Sequence, residues 1–525
     1  MQVTAYLLLA LPWLNPFTYG PTQPVVQFLS VWVAAALCGL LCLQARLKSA
    51  DAVRIVATAW LLAAAVSACM GLLQYCGLAA AFGPWVDYVE AGQAYGNLRQ
   101  RNQQATLLAI GLCALLWWQV QAEAAARTHA QGDALHEAQA PSQANRSRSW
   151  QTRGLIAFAA SLLAAADAAS GSRTGMLQLL LLLALGLYWQ RASATLALAL
   201  LVYAAAAVLL PNLAGLDPLH SGILGRLGEP ASPCASRLTL WSNVLQLIVQ
   251  KPWTGWGWGQ LSYAHFETLY PGTRFCEILG NAHNLPLHLA VELGLPAAAL
   301  LCGGALWLVL WARPWREQDA TRQMAWSVLL VIGMHSLLEY PLWYAPFQLA
   351  AVLAVWLLWQ TRPRQAPTLA RAAEGGQSAR SVIAVVVAAL LLAACSYAAW
   401  DYWRISQIYL SAAQRDPAYR DDTLEKIRGS WLFADQVKFA ELGTTPLTAD
   451  NAPHIHALAL QMLHFSPEAS VVTKVIESAS LLGLDEEAKH YMLRFKRAYP
   501  QDYAAWVKAQ AAGKGGASGA SDEAP

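Results

Sequence analysis

The side chains with the most chemical promise sit in short polar stretches between long apolar runs. His283 stands in Asn281-Ala282-His283-Asn284-Leu285-Pro286, where a polar loop meets an apolar segment. Histidine is the side chain best suited to take a proton near neutral pH, and an ionisable group at a membrane boundary is a functional candidate by default. Two roles fit it: a proton acceptor, or a residue hydrogen-bonded at a helix start. His288 and Glu292 follow four residues apart, the spacing of an internal pair on one helix face. His335 and Glu339, in Met334-His335-Ser336-Leu337-Leu338-Glu339-Tyr340-Pro341, repeat that spacing. Together with Tyr340 and Asn284 they are candidates to line one cavity.

Arginines form the second group. Arg99 and Arg101 lie in Gly96-Asn97-Leu98-Arg99-Gln100-Arg101-Asn102-Gln103, at a helix opening, where anions are favoured. Arg173 occupies the tight turn Ser170-Gly171-Ser172-Arg173-Thr174-Gly175, and Arg237 precedes an amphipathic helix. Guanidinium forks suit diphosphate oxygens, so several on one face imply an anionic phosphate substrate. Outer-face carboxylates of the membrane region are few and dispersed (Asp87, Glu90, Asp217, Glu229, Glu267, Glu277) and include no Asp-x-Asp pair for Mg²⁺ or Mn²⁺. No Cys or His cluster has metal-site spacing. The expectation is therefore no metal and no cofactor, with arginines neutralising any departing diphosphate.

Membrane-spanning elements must position these groups. The 525 residues are 56% hydrophobic and 13% charged, with mean hydropathy +0.34, whereas soluble domains carry about 25% charged residues. A net charge of +3 is too small to suggest nucleic acid. Apolar runs of spanning length predict an all-α polytopic membrane protein. About eleven spans are expected, over 2–14, 25–45, 54–74, 104–121, 154–170, 175–190, 193–211, 285–310, 323–340, 346–360 and 381–400. The first lacks a small-residue cleavage site and reads as a retained helix. One set of alternate loops carries fifteen basic residues. The other carries seven: Arg99, Arg101, Arg173, Arg226, Arg237, Lys251 and Arg274. The richer set belongs in the cytoplasm. That gives a cytoplasmic N-terminus, a membrane region over 1–400, and a periplasmic segment after 400 in a bacterial inner membrane.

Two regions are expected outside the bilayer. The loop 212–284 is long enough to be functional and contains a helical apolar face of Leu238, Trp241, Val244, Leu245 and Ile248. The run Trp253-Thr254-Gly255-Trp256-Gly257-Trp258-Gly259 follows, placing helix and turn on the membrane surface as an anchor. Cys234 and Cys276 are the two cysteines inside this loop, and in an oxidising compartment they are expected to form a disulfide. Region 401–510 reads as amphipathic helices over 404–412, 421–440, 451–465, 468–482 and 485–498. Such helix–turn–helix pairs, TPR-like in character, pack side by side to bind peptides or partners. The tail 511–525 reads as disordered.

At these residues the chain resembles the O-antigen ligase superfamily, and within it the bacterial protein O-oligosaccharyltransferases, or pilin-glycosylation ligases. Gly96–Gln103 is similar to the signature of the protein-glycosylating branch, and Ser172-Arg173-Thr174-Gly175 to the start of the shared ligase core. Arg237 to Gly259, then His283-Asn284 and Gly294, resemble the rest of that core. Tyr402–Tyr409 and Ser466-Pro467-Glu468 resemble the branch's C-terminal domain. The resemblance implies an undecaprenyl-diphosphate-linked oligosaccharide as donor. It implies that His283 is the essential residue, activating a Ser or Thr hydroxyl of an exported protein such as pilin. Arg173 and Arg237 would hold the diphosphate, with Arg99 and Arg101 as further donor-binding candidates, and the sugar would transfer without metal and with inversion. The rival reading is an O-antigen ligase or polymerase, with lipid A-core or glycan as acceptor. A transporter of the same lipid would call for polar residues deep within spans, whereas here they cluster at the outer ends, with Asp167 a rare buried acid.

Overall fold

The computed structural model describes residues 2–18, 23–45, 49–135, 143–219, 221–228, 232–362 and 374–518. Arg46, Lys48, Glu229, Arg364, Arg371 and the end of the expected disordered tail, 519–525, lie outside them. The described residues contain helices and no strand. In chain order the first helices are α1 (Gln2–Leu14), α2 (Gln23–Ala45), α3 (Ser49–Tyr75), α4 (Arg101–Leu135) and α5 (Gln143–Ser170). Then come α6 (Arg173–Tyr188), α7 (Ser193–Leu213), α8 (Gly222–Gly228), α9 (Arg237–Gln250), α10 (Leu261–Glu267) and α11 (Leu285–Leu293). Next are α12 (Leu295–Ala312), α13 (Ala320–Ser336), α14 (Ala345–Gln360) and α15 (Glu374–Ser406). The last are α16 (Thr423–Ile427), α17 (Ala434–Thr444), α18 (Ala452–Phe465), α19 (Ala469–Leu481), α20 (Asp485–Ala498) and α21 (Pro500–Ser518).

Among the described residues, seven helices are long and apolar enough to cross a membrane, and three shorter apolar ones, α1, α6 and α14, accompany them. The chain is therefore a multi-pass membrane protein. Only 6% of the apolar window of α12 and 11% of that of α15 are buried against protein, so those helices present apolar side chains all round, as lipid requires. The expected span over 285–310 is two helices. Gly294, at φ 86°, breaks it, and only α12 has the length to cross.

The chain divides into two compact units, 1–229 with 308–399 and 230–307 with 400–525. This division differs from the one read from sequence, because the loop segment and the C-terminal helices form one unit. In the first unit α3 packs on α1, α4 and α5, and α13 packs on α4, α6 and α14. Small residues set the spacing: Ala57, Ala63, Ala64 and Ala68 of α3 are fully buried. A Cβ at Gly111 of α4 would collide with the Ala64 side chain. Close backbone approach of this kind is how membrane helices gain packing energy when lipid is as apolar as the core.

In the second unit α9, α10 and α11 share a core of Leu240, Val244, Leu247, Ile248 and Val291. Phe266, at the end of α10, is buried among Leu442, Ile455, Met462, Val475 and Phe495 of the C-terminal helices. Beside it Glu267 pairs with His490 and Arg494, both at 2.9 Å. The buried face of α9 is Leu240, Val244, Leu247 and Ile248, while Leu238 and Leu245, expected on that face, are exposed. Helices α18 to α20 fall where periodicity expects them. The expected helix over 421–440 is split into α16 and α17, where Ser430 leaves the helix to donate to the buried Asp401 carboxylate at 2.7 Å. α21 continues past residue 511, where the tail was expected to begin.

Candidate functional site

In the first unit, three polar motifs meet at the ends of α4, α6 and α13. Asn102 is the junction. Its side-chain amide donates to Glu339 Oε1 at 3.3 Å, and its carbonyl oxygen accepts from Ser172 Oγ at 2.7 Å. The Ser172 hydroxyl oxygen also accepts from Gly175 N at 3.0 Å, capping α6 and fixing Arg173 as its first residue. A Cβ at Gly175 would strike the Asp167 carboxylate and Ala105, which makes glycine a requirement of this helix start.

One turn below Asn102, Thr106 Oγ1 donates to the Asn102 backbone carbonyl at 2.8 Å and accepts from Gln178 Nε2 at 2.9 Å. His335 Nδ1 lies 2.8 Å from the same hydroxyl. The Nε2 of His335 is buried with no hydrogen-bond partner. Tyr340 stacks on Tyr344 at 5.8 Å beside this group.

The arginines of this unit divide by role. Arg99, in left-handed backbone at φ 57°, donates from Nε to Asp87 Oδ2 at 2.8 Å and reaches the carbonyls of Pro16 and Thr18. It braces the loop that contains it. Asn97 does the same, donating to the carbonyls of Leu14 and Trp85. Arg101 donates to Tyr95 Oη at 2.7 Å and covers that ring. Arg173 is exposed and donates to the Arg226 carbonyl, while Arg226 donates to Gly171 O at 3.3 Å.

In the second unit the groups gather around residue 283. His283 is half-buried and adopts φ 49°, a conformation rare for a side chain with a Cβ and frequent where function demands it. Its backbone N–H donates to Asn281 Oδ1 at 2.9 Å. Asn284 caps α11 by accepting from Leu287 N at 3.1 Å. Both backbone groups of the preceding residue are also held. Ala282 O accepts from Trp241 Nε1 at 3.1 Å, and Ala282 N donates to His288 Nδ1 at 3.4 Å. With Nδ1 accepting, the His288 proton sits on Nε2, 3.4 Å from Glu292 Oε2. Burial, then neighbouring His283, pushes the His288 pKa down to about 4, so the ring is neutral at pH 7. Burial raises Glu292, against backbone N–H bonds that lower it.

The tryptophan–glycine turn fastens this loop. Trp256 N and Gly257 N donate to the carbonyls of Val291 and Glu292 at 2.9 Å each. Gly255 and Gly294 lie so close to facing backbone that a Cβ at either would collide with it. Arg237, the first residue of α9, is one turn ahead of Trp241 on the same face. Cys234 and Cys276 are joined by a disulfide just before α9, with Cα atoms 5.3 Å apart. His265 is a structural histidine. Its Nε2 donates to Phe275 O at 3.1 Å, Nδ1 lies 2.8 Å from Tyr270 Oη, and burial with Arg274 pushes its pKa down to about 3.

Sequence reading did not single out Asn102, Thr106 or Gln178 individually. Thr106 and Gln178 carried a signal, since they are polar residues inside otherwise apolar spans. Arg226 was read as one outer basic residue without a role.

Comparison with known proteins places these residues in matched segments. A family model described as O-Antigen ligase matches residues 156–302, which contain Arg173, Arg237 and His283. A second, Protein glycosylation ligase, matches residues 94–118, which contain Arg99, Arg101 and Asn102. Over these two stretches the chain is similar to the O-antigen ligase superfamily. A third family model, Virulence factor membrane-bound polymerase, C-terminal, matches residues 323–513, including His335, Glu339 and Tyr340. Among curated proteins, a General O-oligosaccharyltransferase of Acinetobacter baylyi is 33% identical over 139 residues, 26% of this chain and 24% of that protein. A ComP-specific O-oligosaccharyltransferase of the same organism is 28% identical over 118 residues, 22% of this chain and 20% of that protein. The matched stretches thus span about a quarter or less of these relatives. No solved structure matches significantly. These matches and relatives support a glycosyltransferase-type enzyme of the membrane.

Proposed function

We propose that this protein transfers a preassembled oligosaccharide from undecaprenyl diphosphate to Ser or Thr hydroxyls of exported proteins such as pilin, at the periplasmic face of the inner membrane. The observation that carries the reading is His283, held in left-handed backbone between Asn281 and the cap Asn284 within the O-Antigen ligase match. In the proposed reaction His283 accepts the acceptor hydroxyl proton while its oxygen attacks the anomeric carbon. The bond from that carbon to the diphosphate breaks, with inversion, and the electron pair leaves on the diphosphate. A positioned base contributes about 10²–10⁴-fold. Arg173, Arg237 and Arg101 would stabilise the leaving charge without a metal. Arg99 is better suited to bracing, because its guanidinium is already occupied by Asp87 and two carbonyls. The topology that goes with this reading has about eleven crossings, with 401–510 periplasmic.

A second reading, polymerisation or ligation to lipid A-core, is favoured by the polymerase-type match over 323–513. One experiment separates them. Wild type and His283→Ala are expressed with a candidate pilin in a Gram-negative host that lacks its own ligase but makes a lipid-linked glycan. A glycan-sized mass on pilin, absent with the variant, is the expected result. Glycan on lipid A-core, or longer free chains with unmodified pilin, would establish the second reading.

A further inference from the structure

The first unit holds a cleft that no step of glycan transfer uses. α6 extends sixteen residues from Arg173, about 24 Å at the helical rise, and the cleft lies around its far end. It is a narrow groove whose cavity volume is about 40 Å³. Leu116, Leu182, Leu185 and Met324, from α4, α6 and α13, give it apolar walls. Trp189 and Arg191 complete the lining in the turn after α6. The Trp189 indole nitrogen is buried and has no hydrogen-bond partner, an arrangement that costs free energy unless a ligand accepts from it. The Arg191 guanidinium makes a 3.3 Å contact with the Gln318 carbonyl and keeps donors to spare. The nearby carboxylate, Glu317, is already paired with Arg322 at 2.5 Å and does not oppose an anion there.

An apolar slot between membrane helices, with a cation and an unsatisfied N–H donor beside it, has the chemistry of a phospholipid site. A free phosphate would use the two donors and leave the apolar walls empty. We propose that this cleft binds one anionic glycerophospholipid, with an acyl chain between α4, α6 and α13 and its phosphate accepting from Arg191 and Trp189 Nε1.

The test is native mass spectrometry of the full chain purified in mild detergent, with extraction and identification of bound lipid. Wild type should retain one phosphatidylglycerol in preference to phosphatidylethanolamine. Arg191→Gln should lower the bound fraction about fivefold, the factor expected of one basic side chain at a lipid phosphate. Ser327→Leu, which fills the slot from its α13 wall, should abolish retention. Arg191→Gln should keep its glycan-transfer activity, which shows that it is folded. Equal lipid on wild type and both variants would overturn the proposal, as would no lipid on wild type, only inorganic phosphate, or no preference between the two headgroups.

Discussion

Around Asn102 the functional side chains are fixed by other side chains, whereas around His283 the anchors are backbone groups. Asn102, Ser172, Thr106, Gln178 and His335 form a chain of bonds across three helices. Every link there but the one from Thr106 to the Asn102 backbone carbonyl joins two side chains. His283 is positioned by ties on the backbone of residues 282, 283 and 287 and by a turn docked through the carbonyls of Val291 and Glu292. The two regions should therefore fail differently. The first is vulnerable to loss of one polar group, and the second to anything that alters backbone approach.

The largest expected effect is on His283 itself. His283→Ala should lower glycan transfer by about 10²–10⁴-fold with the thermal unfolding midpoint nearly unchanged, as measured by intact mass and a melting curve. An equally active variant would remove His283 from the chemistry. Next is the disulfide, which closes a sequence separation of 42. The chain-entropy argument gives about 4 kcal/mol for a loop of that length, so Cys234→Ser should make the loop markedly more sensitive to proteolysis. A cleavage pattern identical to wild type would mean that the loop is held by its other contacts alone.

Gly294→Ala sharpens the comparison most directly. A Cβ there meets the Trp253 carbonyl and sits at φ 86°, so the cost should exceed ~1 kcal/mol. Transfer should fall although no chemical group has been removed. Asn102→Ala leaves the buried Ser172 and Glu339 groups short of a partner, which costs about 1–3 kcal/mol. Asn102→Asp keeps the oxygen that accepts from Ser172 but sets a second carboxylate against Glu339, so it should be no more stable than Ala, and a melting midpoint for Asn102→Ala equal to wild type would show that the network is not side-chain fixed.

The last effect is on pH. Burial holds His288 at about 4 and His265 at about 3, against 6.5 when solvated. The unfolded chain therefore binds protons that the folded loop refuses, and stability rises with pH across that interval. The contribution is complete above 6.5 and fades as pH falls toward 4 and then 3. Denaturant midpoints of the purified protein should drop over that range, less so in His288→Gln. A flat profile would mean that these rings are not held neutral.

Much of this was legible beforehand because it rests on local composition. Apolar runs fall on the helices observed, since a chain in lipid must satisfy its backbone within each segment. The stretches around Arg101, Arg173, His283 and His335 stood out because polar residues are expensive at membrane boundaries. The break at Gly294 was not legible, because an apolar run of ordinary length gives no sign that one glycine takes left-handed backbone. Nor was the difference between Arg99 and Arg101, since both lie in one short motif and only their partners separate them. The buried face of α9 was misread for a similar reason. Apolar residues surround that helix, and periodicity cannot choose between two apolar faces.

By itself the sequence determined that this is a helical membrane protein with a basic and histidine-bearing set of polar boundary motifs. Hydrophobicity and charge act through each residue's own transfer free energy, which needs no knowledge of neighbours. Tertiary structure alone decided that Asn102 joins three of those motifs and that Phe266 roots the loop among the C-terminal helices. Those outcomes depend on which groups meet across long stretches of chain, and a hydrogen bond or a buried ring has no counterpart in the composition of either segment.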